Sequence, residues 1–287
     1  MLWMKYLTAE EAIKYLLLKT GVGIINRKFY KNYFEVLKEK LTDLKRHNIK
    51  IYRRGDTLHL VKGRTKYILR IHTSDLEVFK QVVLNEEYGP LNSIAGTCGI
   101  QDPKVIVDAG ANIGMTVLFL KGIFPNSRIV ALEPESDNFR QLRKNVAENG
   151  FEESTDLLQS ALWISNSDTL YISHDFRDGN SWAKAVTSTP NKNQQVLSID
   201  LAGIMGSIDQ CTVIDILKMD IEGAESVLFS DNDFLDQLAN HVRLLCVEIH
   251  EELQDKPRIL RILTELNFSF EIISETVFAI NKNLIAN

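Results

Sequence analysis

The chain has 287 residues, 45% of them hydrophobic and 25% charged, with a formal net charge of −5 at neutral pH. At roughly 150 residues per domain this length allows one large domain, or one domain with an extension, around a substantial buried core. The mild acidity excludes the broad basic footprint of a nucleic-acid binder, and the locally basic run Lys38 to Arg54 reads as a solvated helix face.

The N-terminal stretch to Ile25 is apolar, but Lys5, Glu10, Glu11, Lys14 and Lys19 interrupt it. That pattern predicts an amphipathic helix rather than a signal peptide or a transmembrane segment. Helical spacing over Thr8 to Lys19 and Asn26 to His47, broken by Gly21 and Gly23, predicts a helical cap. Such a cap could serve dimerisation as easily as acceptor entry, so a homodimer is one reading. The runs Ile49 to Arg53, Thr57 to Val61 and Lys66 to Ile71 alternate around glycine turns and predict a small antiparallel meander. Ser74 or Asp75 should then cap a helix running to about Asn85. Residues 1–100 are therefore expected to form an α+β extension, and 101–287 the main domain.

From Val105 onward strands and helices alternate, with strands expected over 105–109, 128–132, 155–159, 214–219 and 243–249 and a closing hairpin over 269–281. Alternation of this kind predicts an α/β fold with a parallel-rich sheet covered on both faces and an antiparallel C-terminal edge. A polar insertion over 163–196 should carry one short strand, Thr169 to Ser173, and a turn at Gly179 to Trp182. Its Asp175, Arg177, Asn180, Ser181 and Trp182 have the composition of a lid over a hydroxylated acceptor, and Trp182 could equally anchor the loop on the core. Cys98, Cys211 and Cys246 are odd in number and widely spaced, which predicts neither a disulfide framework nor a metal knuckle and fits a reducing cytoplasm.

The most informative segment is Val105-Ile-Val-Asp108-Ala-Gly110-Ala-Asn112-Ile-Gly114, a buried-strand run entering a small-residue turn that opens a helix. Glycine suits such a turn because the backbone must approach a ligand closely and can require positive φ. The next strand ends in Glu133-Pro134, which sets a carboxylate where it can grip a ribose diol. A nicotinamide fingerprint has no acid ahead of its glycines. Asp108 would repel a pyrophosphate, yet it could hold the ammonium of a cationic, phosphate-free cofactor such as S-adenosylmethionine.

With Val107 to Gly114, Ala131-Leu-Glu-Pro-Glu135, Leu217-Lys-Met-Asp220-Ile-Glu222-Gly-Ala-Glu225 and Val247-Glu-Ile-His250 in order, the chain resembles the FkbM family of S-adenosylmethionine-dependent methyltransferases over about residues 73–281. Ser74 to Phe79 and Glu87-Tyr88 resemble the family's entry segment more weakly. The resemblance implies a class I, Rossmann-like methyltransferase fold and methyl transfer to a hydroxyl oxygen of a sugar, glycan or natural product. It implies that Asp108, Gly110, Asn112 and Gly114 surround the methionine part of the cofactor, that Glu133 with Pro134 holds the ribose, and that Ser160 and Ala161 border the adenine.

Asp220 and Glu222 follow the fourth strand and so fall at the carboxyl edge of the sheet, where an acceptor would bind. An alcohol is a poor nucleophile, so transfer to oxygen calls for a base, a metal or an oriented hydrogen bond. Asp220 is the first choice of base, with Glu222 and His250 as rivals. Asp220 could instead cap the helix after Gly223. Asp220, Glu222, Glu248 and His250 could also form an oxygen-rich Mg²⁺ site, although hard-metal sites have no tight sequence signature and a carboxylate–histidine pair would explain the same residues. A catalytically silent, cofactor- or glycan-binding relative and a nicotinamide-dependent oxidoreductase are the competing functions.

Overall fold

The computed structural model describes residues 7, 9–20, 31, 35, 38, 42, 44, 46–71, 73–173, 185–189, 194–209, 211–249 and 255–285. Two compact units divide the chain, Met1–His72 and Thr73–Asn287, so the divide precedes the boundary at 100 expected from the sequence. Most of the second expected helix, Asn26 to His47, lies outside the described residues. Among the described residues no helix is long and apolar enough to cross a membrane.

The first unit holds a helix, Ala9–Thr20, and a meander of β1 (Lys50–Arg54), β2 (Thr57–Lys62) and β3 (Thr65–Arg70). Both pairings are antiparallel, in registers that set Ile51 opposite Leu60 and Leu58 opposite Leu69. These four side chains form the buried face, as strand alternation requires. Arg53 Nη1 donates to Glu11 Oε2 at 2.8 Å, an ion pair shielded from water on both sides.

The second unit is built on a seven-stranded sheet ordered β13-β14-β12-β11-β4-β5-β6. Its strands are β4 (Val105–Ala109), β5 (Arg128–Leu132), β6 (Thr155–Leu158), β11 (Ile214–Met219), β12 (Val242–Glu248), β13 (Phe268–Ile273) and β14 (Thr276–Asn281). All neighbours from β6 to β12 pair parallel, and β14 runs antiparallel to both β12 and β13. β4 and β11 are buried at every position, the expected state of central parallel strands covered by helices on both faces. The strand order reverses direction of growth on either side of β4 and β11, which makes their carboxyl ends the topological switch point.

Further elements complete this unit. The helix after Ser74 runs Asp75–Phe79 and widens into a π-helical turn over Lys80–Leu84. A helix over Pro90–Thr97 follows, with proline at its first position where no amide hydrogen is needed. The insertion carries β9 besides its one expected strand, and its flanks are strands too. β7 (Ser160–Leu162), β8 (Thr169–Ser173), β9 (Ala185–Thr187) and β10 (Gln195–Ile199) make a second sheet ordered β7-β10-β8-β9. Asp175, Arg177, Asn180, Ser181 and Trp182 lie outside the described residues.

Candidate active site

At the carboxyl ends of β4, β5 and β11 the chain leaves the sheet in turns that only particular residues permit. After β4, Gly110 takes φ +80°, Asn112 +50° and Gly114 +85°, the left-handed region that glycine, and next to it asparagine, enters at least cost. The amides of Gly110 and Ala111 both donate to Leu132 O, at 3.0 and 2.8 Å, which fastens the turn to the end of β5. A Cβ on Gly110 would stand 1.9 Å from Asp220 O, and one on Gly114 would stand 2.7 Å from Leu142 Cδ1. Gly110 therefore lets two loops touch, while Gly114 lets the helix Met115–Ile123 pack on the helix Ser136–Glu148.

These turns border a cavity of about 260 Å³. One wall is made by Gly110, Asn112, Glu133, Pro134, Ser160 and Ala161. The rest of the lining, a second wall, includes Glu87, Asp220, Glu222, Glu248 and Glu275, with Tyr88 and Lys218. Asp108 and Gly114 stand behind the cavity surface, and His250 lies outside the described residues.

Glu133 closes the first wall. Its Oε2 accepts from Asn112 N at 2.8 Å and its Oε1 from Glu135 N at 2.9 Å. Burial pushes this carboxyl up to about 7, against those two amide hydrogen bonds, which favour the ionised form. A carboxylate offers about four acceptor sites, so two amides leave capacity for ligand hydroxyls. Gln194 braces the same wall: its Nε2 donates to Pro134 O at 2.8 Å and its Oε1 accepts from Ser136 N at 3.1 Å.

The second wall is acidic. Burial raises Glu248 to about 9, with Asp220 and Glu87 adding to the effect and Lys218 opposing it. Burial also raises Glu87, opposed by its hydrogen bond with Gln81. Glu222 takes φ +53° and Gly223 +97°, so the loop after β11 turns sharply through a strained non-glycine position, a conformation that clusters at functional sites. The amides of this turn go to Glu225: Oε1 accepts from Ile221 N at 3.0 Å and Oε2 from Gly223 N at 2.8 Å. Burial raises Glu225 to about 7 against those bonds.

Sequence reasoning quoted Lys218 in a motif without giving it a role. It is 1% exposed, and its Nζ lies 3.1 Å from Asp108 Oδ1 and 3.8 Å from Asp220 Oδ2. The same ammonium donates to Gly110 O at 2.9 Å and sits 5.6 Å from the Tyr88 ring centre. Burial works against its charge, yet Asp108 and Asp220 hold its pKa above the ordinary lysine value. A lysine inside the apolar run Ile214 to Met219 was the available signal, since an unpaired charge is not tolerated in a central strand. Glu225 and Glu275 were also missed, and Glu87-Tyr88 had been noted only as a motif.

The donor set fits S-adenosylmethionine. Carboxylates dominate the cavity, Lys218 is its only basic lining residue among those described, and positive sulfur and ammonium groups are stabilised by such surroundings without any phosphate cradle. Gly110 and Ala111 add backbone to the cavity lining, against which an amino-acid head can lie. Mg²⁺ finds no comparable support: among the described residues no group of three or more His, Cys, Asp or Glu side chains is arranged to hold a metal ion.

Residues 108–270, more than half of the chain, match the model of the Methyltransferase FkbM domain. Methyltransferase 1 of Beauveria bassiana (strain ARSEF 2860) is 27% identical over 168 residues, 50% of this chain and 66% of that protein. Methyltransferase sdnD of Sordaria araneosa is 29% identical over 191 residues, 57% of this chain and 73% of that protein. Among solved structures, the methyltransferase FkbM of Methylobacillus flagellatus KT is similar at 18% identity and a TM-score of 0.41, over 62% of this chain and 43% of that one. The chain thus spans under half the length of that solved protein and just under two thirds of the Beauveria relative.

Proposed function

This chain belongs to the FkbM methyltransferase family, and from that premise we propose that it uses S-adenosylmethionine to methylate a hydroxyl of a sugar, glycan or natural-product acceptor. The observation that carries the reading is that one cavity joins the Gly110–Asn112 turn and Glu133 to the carboxylates of Asp220 and Glu222. The cofactor supplies an electrophilic methyl group on a positively charged sulfur.

In this reading Glu133 accepts hydrogen bonds from the ribose hydroxyls, with Asn112 N fixing the carboxylate from behind. Ser160, Ala161, Gly110 and Asn112 line the cavity; the first two would border the adenine and the last two would flank the amino-acid head. Asp220 would accept the proton of the acceptor hydroxyl, the general-base role that methyl transfer to oxygen requires. Glu222 and Glu248 hold the remaining hydroxyls of the acceptor, and orientation against the methyl group contributes the rest of the acceleration. His250 is kept as an alternative base. No step is routed through a metal.

The three free cysteines support a reducing, cytoplasmic setting. A homodimer built on the N-terminal helices is part of the same proposal, tested by light scattering of the full chain.

The test is transfer of a labelled methyl group from S-adenosylmethionine to a panel of sugars, oligosaccharides and amines. Label on a hydroxyl oxygen, reduced about 10²-fold or more in Asp220→Asn as loss of a general base predicts, supports the proposal. Label found only on nitrogen, or unchanged transfer in Asp220→Asn, contradicts it.

A further inference from the structure

We propose that Lys218 is a positioning residue for the cofactor, and that Asp108 serves the cofactor through Lys218 and the Gly110 carbonyl rather than by touching it. The inference rests on the cofactor reading given above. An acid at the position of Asp108 was expected to hold the cofactor's ammonium. Asp108 is 0% exposed and stands behind the cavity surface, and its Oδ1 is 3.1 Å from Lys218 Nζ. The two residues are register partners on the parallel neighbours β4 and β11, so the pairing is built into the sheet.

An ammonium has three donors. Lys218 donates to the Gly110 carbonyl at 2.9 Å, and its charge lies within ion-pair range of Asp108 Oδ1 at 3.1 Å and Asp220 Oδ2 at 3.8 Å. The Tyr88 ring lies over the same charge at 5.6 Å, which adds cation–π attraction in a desolvated setting. The group thus ties the end of β4, the turn that forms the cofactor wall and the acid of the acceptor wall to one point. The turn is closely confined at Gly110, where φ is +80° and Asp220 O fills the space a Cβ would need. The Gly110 carbonyl and the Ala111 amide form one peptide, which Lys218 therefore holds from the oxygen side and Leu132 O from the nitrogen side at 2.8 Å, and Ala111 lines the cavity.

Buried ion pairs exchanged together for neutral residues of similar shape are often neutral or stabilising, whereas removal of one partner leaves a costly buried charge. That asymmetry separates a positioning role from a merely structural one. The experiment measures thermal melting and calorimetric binding of S-adenosylhomocysteine for the full chain, Lys218→Met, the double variant Asp108→Asn with Lys218→Met, and the double variant Asp108→Asn with Lys218→Gln. Well below the melting temperature the folded fraction is nearly complete, so loss of stability alone leaves Kd unchanged.

The proposal expects the methionine double variant to melt within a few degrees of the native chain while its Kd rises tenfold or more. The glutamine pair, whose amide still donates to Gly110 O, should recover part of that affinity. Direct contact through Asp108 makes the opposite forecast for Lys218→Met, in which the released carboxylate binds the ligand as well as before or better. Native-like affinity in Lys218→Met or in the methionine pair overturns the proposal. If the methionine pair does not fold, the glutamine pair is compared with the native chain instead, and affinity within twofold overturns the proposal in the same way. A native chain that fails to bind at all refutes the cofactor reading, and so is told apart.

Discussion

Gly110 and Asp220 touch across the switch point of the sheet: a Cβ on Gly110 would stand 1.9 Å from Asp220 O and 2.9 Å from its carbonyl carbon. Both residues line the same cavity. Gly110→Ala therefore strains a left-handed backbone and pushes the β11 loop outward at once. Overpacking of this kind costs about 1–3 kcal/mol, with the φ strain in addition. Urea unfolding should show at least that loss, together with weakened S-adenosylhomocysteine binding. Unchanged stability and affinity would mean that the two loops are free to part.

Glu225 is the second keystone of the β11 loop. Its carboxylate takes the amides of Ile221 and Gly223, and it is 1% exposed. Glu225→Ala leaves both half-buried amides without that acceptor, at about 1 kcal/mol for each lost hydrogen bond. Denaturant melts should show a drop of that order. A melt equal to the native one would assign the turn's rigidity to Gly223 and the Asp220–Ala109 backbone bond instead.

Stability should fall as pH rises, because of Glu248. Burial, with Asp220 and Glu87 beside it, raises this group from its ordinary 4.5 to about 9. A carboxyl raised on folding binds its proton more tightly in the native state. Its contribution is fully present below 4.5 and is lost as pH climbs through about 9. Thermal melts from pH 6 to 9.5, on the order of that window, should slope downward, and Glu248→Gln should flatten the slope. Equal slopes in both proteins would show that Glu248 is not the group responsible.

Cofactor affinity should move the other way. Burial holds Glu133 near 7, and ribose hydroxyls donate best to its ionised form. Since apparent affinity scales with the competent fraction, Kd for S-adenosylhomocysteine should tighten by up to about tenfold between pH 6 and 8. Glu133→Gln should remove that dependence. A flat native profile would mean that the carboxyl binds equally well in either state.

Most of the large sheet could be read from the sequence, because central parallel strands are continuous apolar runs and their spacing by helices is a local pattern. The glycines at 110 and 114 were legible for the same reason: their φ values of +80° and +85° are demanded by the turn in which they stand. The second sheet was not legible beyond β8. β7 and β9 have three residues each, and what makes them strands is pairing with distant partners such as Ser160 with Leu197. The role of Lys218 was hidden likewise, since its register partner Asp108 is remote in sequence and only the closed sheet brings them together. Glu225 closes the Leu217 to Glu225 motif, where Asp220 is the expected base or alternatively a cap, and the structure gives the Ile221 and Gly223 amides to Glu225.

The most direct test of the account is calorimetric titration of the cofactor-stripped chain with S-adenosylhomocysteine, and separately with NAD(H), repeated on Glu133→Ala. The account predicts micromolar binding of S-adenosylhomocysteine by the native chain, its loss in Glu133→Ala and no binding of the nicotinamides. Binding of neither ligand by the native chain, or binding that Glu133→Ala leaves untouched, would contradict it.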